Sequence, residues 1–221
     1  MGKSKKKAVT KKNTMSRGSI VLYSTTFLFC AALIAVAAIS SSKKIYPEWA
    51  KTTGASIEIG KSDASKVVDV YEDFQCPGCG QFERLNGKLL ADAVADGTAR
   101  IKYHLMSFLG PESVRAANAA ACSFDQNGFL DYHTVLFQTQ PSEKSGGYSI
   151  ESLIDIGNSL GFDKEFESCV TTTKYKAWVT DVNNKANADG ITSTPTVLID
   201  GTQLDIAQLT PEVLKEKLYS K

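Results

Sequence analysis

Residues 66–79 read KVVDVYEDFQCPGC. Lys66–Tyr71 is β-branched and apolar enough for a core strand. Beyond the cysteines, Phe82, Leu85, Leu89, Leu90 and Val94 recur at helical spacing, which predicts a helix from about Cys76 to Ala95. Cys76-Pro77-Gly78-Cys79 thus stands where a strand gives way to a helix. At a helix N-terminus, unpaired backbone N–H groups and the helix dipole favour a thiolate. Such a placement draws a thiol pKa from about 8.5 into the range of roughly 3.5–7.5. Cys76 is therefore the candidate nucleophile, and Cys79, a turn further in, is placed to resolve a mixed disulfide. The same residues followed by Gly80 also look like a zinc knuckle, a motif that comes in pairs. There is no second CxxC, and only His104 and His133 could complete such a site, so no metal is expected. A purely structural bridge inside the motif would close too small a loop to restrict the unfolded chain much.

Working outward, Ala99–Leu105 alternates as a second strand and Ile57–Ile59 as a short edge strand. From Pro111 to about Asp189 strand signals vanish. Helical spacing appears instead at Pro111–Ser123, Phe129–Thr139, Ile150–Leu160, Lys164–Cys169 and Tyr175–Ala188. Strands return at Thr196–Ile199, followed by an Asp200-Gly201 hairpin signal and a return strand Thr202–Leu204. Thr210-Pro211 caps a closing helix that runs to Leu218. The order predicts an α/β sandwich interrupted by a helical insertion at about 111–189. Just before the returning strand stands Thr194-Pro195. Proline avoids strand interiors, so it either marks a cis peptide kept for its geometry or simply opens the strand in trans.

Charge is segregated along the 221 residues. Residues 1–44 hold nine basic groups and no acid, leaving 16 basic against 24 acidic groups in 45–221, a net of −8. So acidic a domain is a poor partner for nucleic acid, whose binding rests on neutralised phosphates. Ile20–Ile39 carries no charge and is long enough to cross a membrane as a helix. Seven positive charges precede it, which predicts a cytoplasmic tail at 1–19, a transmembrane signal-anchor at 20–40, a linker at 41–56 and an exported domain at 57–221. Ala35-Val36-Ala37 leaves a cleaved signal peptide as the rival reading. Either way, Cys76, Cys79, Cys122 and Cys169 face a compartment where disulfides persist, while Cys30 lies in the apolar segment.

Four stretches carry a family resemblance: YEDFQCPGC (71–79), YHTVLFQTQ (132–140), LIDIGNSLGFD (153–163) and GITSTPTVLIDG (190–201). In this order they resemble the DsbA-like branch of the thioredoxin superfamily, in its membrane-anchored Gram-positive type. The resemblance implies a thioredoxin fold with a helical insertion between the second core strand and the cis-proline strand. It makes Cys76 the attacking thiol and Cys79 its partner. Pro195 becomes the cis-proline beside them, and Thr194 offers its backbone to an extended substrate. The activity implied is dithiol–disulfide exchange, passing disulfides to reduced exported client proteins without metal or organic cofactor. A membrane partner would reoxidise the enzyme, and a monomer is expected. A reductase of the same fold, or a non-enzymatic envelope protein with a structural or zinc-bound CxxC, are the alternatives. Two positions depart from the pattern. Gly78 stands where many relatives have histidine, and Val70 where a buried acid often stands; Asp69, Glu72 and Asp73 are near but not at that position.

Cys122 and Cys169 fall in the insertion without CxxC character and are expected to pair, two buried free thiols being the alternative. His133 and His104 read as packing or hydrogen-bonding residues.

Overall fold

The computed structural model describes residues 50–220 together with Lys44, Ile45 and Pro47. The basic tail, the apolar segment at 20–40 and Cys30 lie outside the described residues. Among the described residues no helix is long and apolar enough to cross a membrane.

The stretch expected to be a linker ends in a helical turn, α1 (Ala50–Thr53), followed by β1 (Ile57–Ile59). Local bonds build this turn: Thr53 Oγ1 donates to the Ser56 carbonyl, and the Trp178 indole donates to the Gly54 carbonyl. The central unit is β2 (Lys66–Asp73), α2 (Pro77–Ala95) and β3 (Ala99–Met106). β2 and β3 are parallel, with Val68 opposite Ile101 and Val70 opposite Tyr103. All four residues are buried and, two positions apart on paired strands, they line one face of the sheet, where the core lies.

The insertion follows as α3 (Pro111–Asp125), α4 (Phe129–Gln138), α5 (Ile150–Ser159), α6 (Lys164–Thr171) and α7 (Lys176–Ala188). α3 is its hub. Ala116, Ala117, Ala119, Ala120 and Ala121 are buried, and side chains this small let α4, α6 and α7 pack around one helix. Cys122 on α3 and Cys169 on α6 are bonded, with Cα atoms 5.9 Å apart. Asn118 ties the same helices to the start of α7 by accepting from the Tyr175 N–H at 2.8 Å.

β4 (Thr196–Ile199) then runs antiparallel to β2, and β5 (Thr202–Gln203) pairs with β4. The sheet order is β1-β3-β2-β4-β5. Asp200 and Gly201 both take positive φ, 49° and 78°, as a tight two-residue hairpin requires. The return strand stops at Gln203. Asp205 then caps a 3₁₀ turn, Ile206–Gln208, that had no counterpart in the sequence pattern. The closing helix α8 (Pro211–Tyr219) buries Leu214 and Leu218 and packs on α2. The result is a thioredoxin-like α/β fold whose helical block enters between β3 and β4.

Candidate active site

Cys76 is the N-cap of α2, with extended φ −73° and ψ 117°. Pro77 fills the first helical position, where a missing N–H costs nothing. The cap makes no side-chain bond, so the first-turn N–H groups stay available to whatever lies before them. What lies there is the half-buried sulfur of Cys76 itself. As a thiol it donates to the Thr194 carbonyl at 3.4 Å. As a thiolate it is held at a pKa of about 5, chiefly by a hydrogen bond from the Cys79 thiol. Burial opposes this, while Thr194 and the N–H groups of Cys79 and Gly78 add to it. The Thr194 hydroxyl is buried with no other partner, which leaves it to donate to the charged sulfur.

The Thr194-Pro195 peptide is cis. Pro195 packs close on the motif: a Cβ added at Gly78 would stand 3.2 Å from Pro195 Cδ and 3.7 Å from Cys76 Sγ. The structure thus brings Cys76, Cys79, Thr194 and Pro195 together. Cys122 and Cys169 belong to α3 and α6 of the insertion and take no part in this turn. Both active-site sulfurs are free, the reduced state of the pair.

Cys79 is fully buried, and burial drives its pKa far up. The hydrogen bond it gives Cys76 and the negative charge of Glu72 push the same way. Glu72 is the group that the sequence pattern did not single out. It is the penultimate residue of β2, at 0% exposure and two residues beyond Val70. His133 of α4 bonds one of its oxygens through Nε2. That imidazole is walled by the rings of Phe74, Tyr103, Phe129 and Phe137 at 4.8–5.7 Å, and burial lowers its pKa. Its neutral Nε2–H therefore donates to Glu72.

The other Glu72 oxygen faces Glu83 of α2. Neither Glu72 Oε2 nor Glu83 Oε1 has any other partner. Two carboxylates cannot sit so with both ionised; one proton between them satisfies both. Burial raises the pKa of both, Glu83 to about 8, so the cluster holds that proton at neutral pH. The ligating atoms of Glu72, Glu83 and His133 all lie within 4.8 Å, a spacing that could also close on a metal ion. The contacts favour proton sharing, because the His133 nitrogen is already spent on Glu72. Glu83 lines a cleft of about 350 Å³ with Arg84, Lys88, Thr134 and Phe137, so the cluster opens to solvent on one side.

Asp73 is also buried and serves another end. Its carboxylate accepts from Gln75 N–H at 2.9 Å, Ser113 Oγ at 2.6 Å and Leu109 N–H at 3.3 Å. It fastens the turn before Cys76 to the start of the insertion. His104 bridges Asp69 and the Ala55 carbonyl and stacks on Tyr71. Its bonds tie β3 to β2 and to the segment before β1, and neither goes to a sulfur.

Beside Pro195 a groove of about 330 Å³ is lined by Gly78, Phe82, Leu85, Ile206 and Leu209. Leu85 is 55% exposed and Ile206 37%, an apolar edge next to the reactive sulfur.

Residues 52–218 match the family model described as thioredoxin. The chain belongs to the thioredoxin family. Among solved structures of this family it is similar to DsbA from Mycobacterium tuberculosis in the reduced form. The two share 27% identity at a TM-score of 0.66, over 76% of this chain and 94% of that one. MdbA, a thiol-disulfide oxidoreductase from Actinomyces oris, matches at 25% identity and a TM-score of 0.67, over 76% and 88% of the two chains. These structural neighbours are protein-disulfide oxidoreductases of the DsbA type. Among curated proteins, the serine/threonine-protein kinase PknE of M. tuberculosis is 28% identical over 124 residues, 51% of this chain. The match spans only 22% of that kinase's length, so its name carries no activity to this chain.

Proposed function

We propose that the protein is an extracytoplasmic thiol–disulfide oxidoreductase that forms disulfides in exported proteins through Cys76 and Cys79. The observation that carries the reading is the pairing of opposites: a half-buried Cys76 held near pKa 5 beside a buried Cys79 held far above its ordinary value. A thiolate so stabilised favours the reduced enzyme, which makes the disulfide form oxidising and argues against a reductase. Export is supported by the basic tail, by the apolar segment and by the Cys122–Cys169 bond, a linkage at home in oxidising compartments. A membrane partner would then return the active site to its disulfide form.

In the proposed reaction a client thiolate attacks Cys76 Sγ of the oxidised enzyme. The Cys76–Cys79 bond breaks, the client–Cys76 disulfide forms, and Cys79 leaves as a thiolate. A thiolate is strongly disfavoured in that buried place, so it needs a proton at once. Glu72 lies beside it and shares a proton with Glu83, and solvent restores that proton through the cleft. A second client thiolate then attacks the client sulfur. Cys76 departs as the stabilised thiolate and the client keeps the disulfide. The apolar groove beside Pro195 suits unfolded clients, whose nonpolar side chains are still uncovered.

The test is transfer of a disulfide to a reduced client by the purified protein and two variants. Cys76→Ser abolishes it, and Cys79→Ser accumulates client–enzyme mixed disulfides. Full activity in Cys76→Ser would end the proposal.

A further inference from the structure

The turn Phe74-Gln75-Cys76 carries the attacking sulfur, yet the helical insertion holds it in place. Tyr148 Oη donates to the Leu136 carbonyl at 2.8 Å and lies 3.4 Å from the Phe74 carbonyl, beside the turn. Gln75 donates to Ser113 Oγ and accepts from the Lys144 N–H, both at 2.8 Å. The central clamp is Gln140, just beyond α4. Its Nε2 donates to the carbonyl of Phe74 at 2.8 Å and to that of Cys76 at 2.9 Å, which uses both amide hydrogens. The Cys76 carbonyl also takes the first intrahelical bond of α2, from Gly80 N–H at 3.1 Å. Gln140 therefore grips the α2 N-terminus at the one carbonyl that starts its ladder.

Room for this grip comes from Gly80. A Cβ there would stand 2.1 Å from Gln140 Oε1 and 2.8 Å from its Cδ. Gly80 has no positive φ, and inside a helix glycine costs roughly 1 kcal/mol against alanine. Close approach of Gln140 is thus the reason in this structure for a bare Cα at that position. The two residues, 60 positions apart in the sequence, fit as one unit.

We propose that Gln140 is a positioning residue for the exchange reaction, one that sets the acidity of Cys76 from the insertion by fixing the first turn of α2 through the space left by Gly80. The N–H groups of Gly78 and Cys79 point at the Cys76 sulfur only while that turn keeps its geometry. Without the clamp, the Asp73 and Gln75 bonds still hold the turn before Cys76, but no side chain holds the Cys76 carbonyl at the start of α2. The inference rests on Cys76 being the attacking thiol, which the Cys76→Ser assay examines separately.

The experiment follows ultraviolet thiolate absorbance against pH in the reduced full chain, for wild type, Gln140→Ala, Gly80→Ala and the double variant. Losing the equivalent of one aligned N–H donor raises the Cys76 pKa by about one unit, a tenfold loss of thiolate at pH values below both. Gln140→Ala is expected to show this rise. Gly80→Ala is expected to show the same rise, because its new methyl expels the Gln140 amide. The double variant is expected to match either single one, since both act on one contact. With Gln140 shortened, the nearest remaining neighbour of the new methyl is the flexible Arg84 guanidinium, which can move away. Retained helical circular dichroism certifies each fold. An unchanged pKa in folded Gln140→Ala overturns the proposal, and so do shifts that simply add in the double variant. A rise confined to Gly80→Ala overturns it as well, because helix strain rather than the clamp would then be the cause.

Discussion

Replacing Glu83 with glutamine keeps the side chain's shape and removes a proton-binding site. In the native protein burial holds Glu83 at about 8, against 4.5 for an ordinary glutamate. Between those values the folded chain keeps a proton that the unfolded chain has released, so stability falls as pH rises. His133 has the opposite sign. Its lowered pKa means that stability is lost as pH falls below the ordinary value of 6.5. The two slopes oppose each other below 6.5; from there to 8 His133 adds no slope, while Glu83 still titrates. Linkage over that window gives a loss of about 1.6 kcal/mol, trimmed toward about 1 kcal/mol by the opening of Glu83 onto its cleft. For a domain of this size that lowers Tm by about 2–6 °C. Glu72, whose pKa burial also raises, adds in the same direction. Thermal unfolding of the oxidised protein at both pH values measures this, with the Cys76 titration silenced by the disulfide. Glu83→Gln should flatten the slope and gain on wild type at pH 8. It should also slow reduction of the enzyme disulfide by a thiol about tenfold, less than a direct acid would, because Glu83 works through Glu72. If both proteins lose the same stability between pH 6.5 and 8, Glu83 does not carry that proton and its supply to Cys79 is refuted.

Replacing Cys122 and Cys169 together with alanine opens a loop of 47 residues and costs about 4 kcal/mol in the chain-entropy model. Urea unfolding should show that loss, while the Cys76 pKa, read by thiolate absorbance, stays where it was. Gly78→His offers the Cys76 thiolate another donor and should lower its pKa and raise the reduction potential. The 3.2 Å spacing to Pro195 means the new side chain also crowds the cis-proline, so client affinity should fall in the same variant. Leu85→Asp with Ile206→Asp puts charge on the apolar edge beside Pro195. Exchange with an unfolded client should slow severalfold, while reduction by a small dithiol continues at the wild-type rate.

Much of the fold was legible because local chemistry and tertiary packing ask for the same thing. KVVDVY is a strand by composition and buries Val68, Val70 and Tyr71; Thr210-Pro211 opens a helix by capping alone. The hairpin at Asp200-Gly201 is written in residues that tolerate positive φ. The 3₁₀ turn at 206–208 was hidden because Ile206 and Leu209 look like ordinary apolar residues, and only Asp205 hints at a cap. At the site, the CxxC and Thr194-Pro195 announce themselves by residue type. The Glu72–Glu83–His133 cluster does not. It joins a strand, the helix after it and an inserted helix, and each member looks alone like a surface charge or a packing ring. One signal was present: Glu72-Asp73 continues an apolar strand into a buried end, where two acids in a row need partners from elsewhere. The Gln140–Gly80 fit was equally invisible, since only three-dimensional contact relates those positions.

Both sulfurs of the Cys122–Cys169 bridge are buried, at 1% and 5% exposure, whereas Cys76 stands half open at a helix end. Thiol exchange needs a nucleophile to approach along the axis of the bond it breaks, and no buffer thiol can do so inside the insertion. In a glutathione buffer the folded domain should therefore behave electrochemically as a single two-electron couple, the second bridge being silent until the helices around it come apart. A titration of the native protein then reports the potential of Cys76–Cys79 alone, uncontaminated by the structural bond. The same shielding means that the insertion bridge must be made during folding, before α3 and α6 close over it, because afterwards no oxidant can reach it.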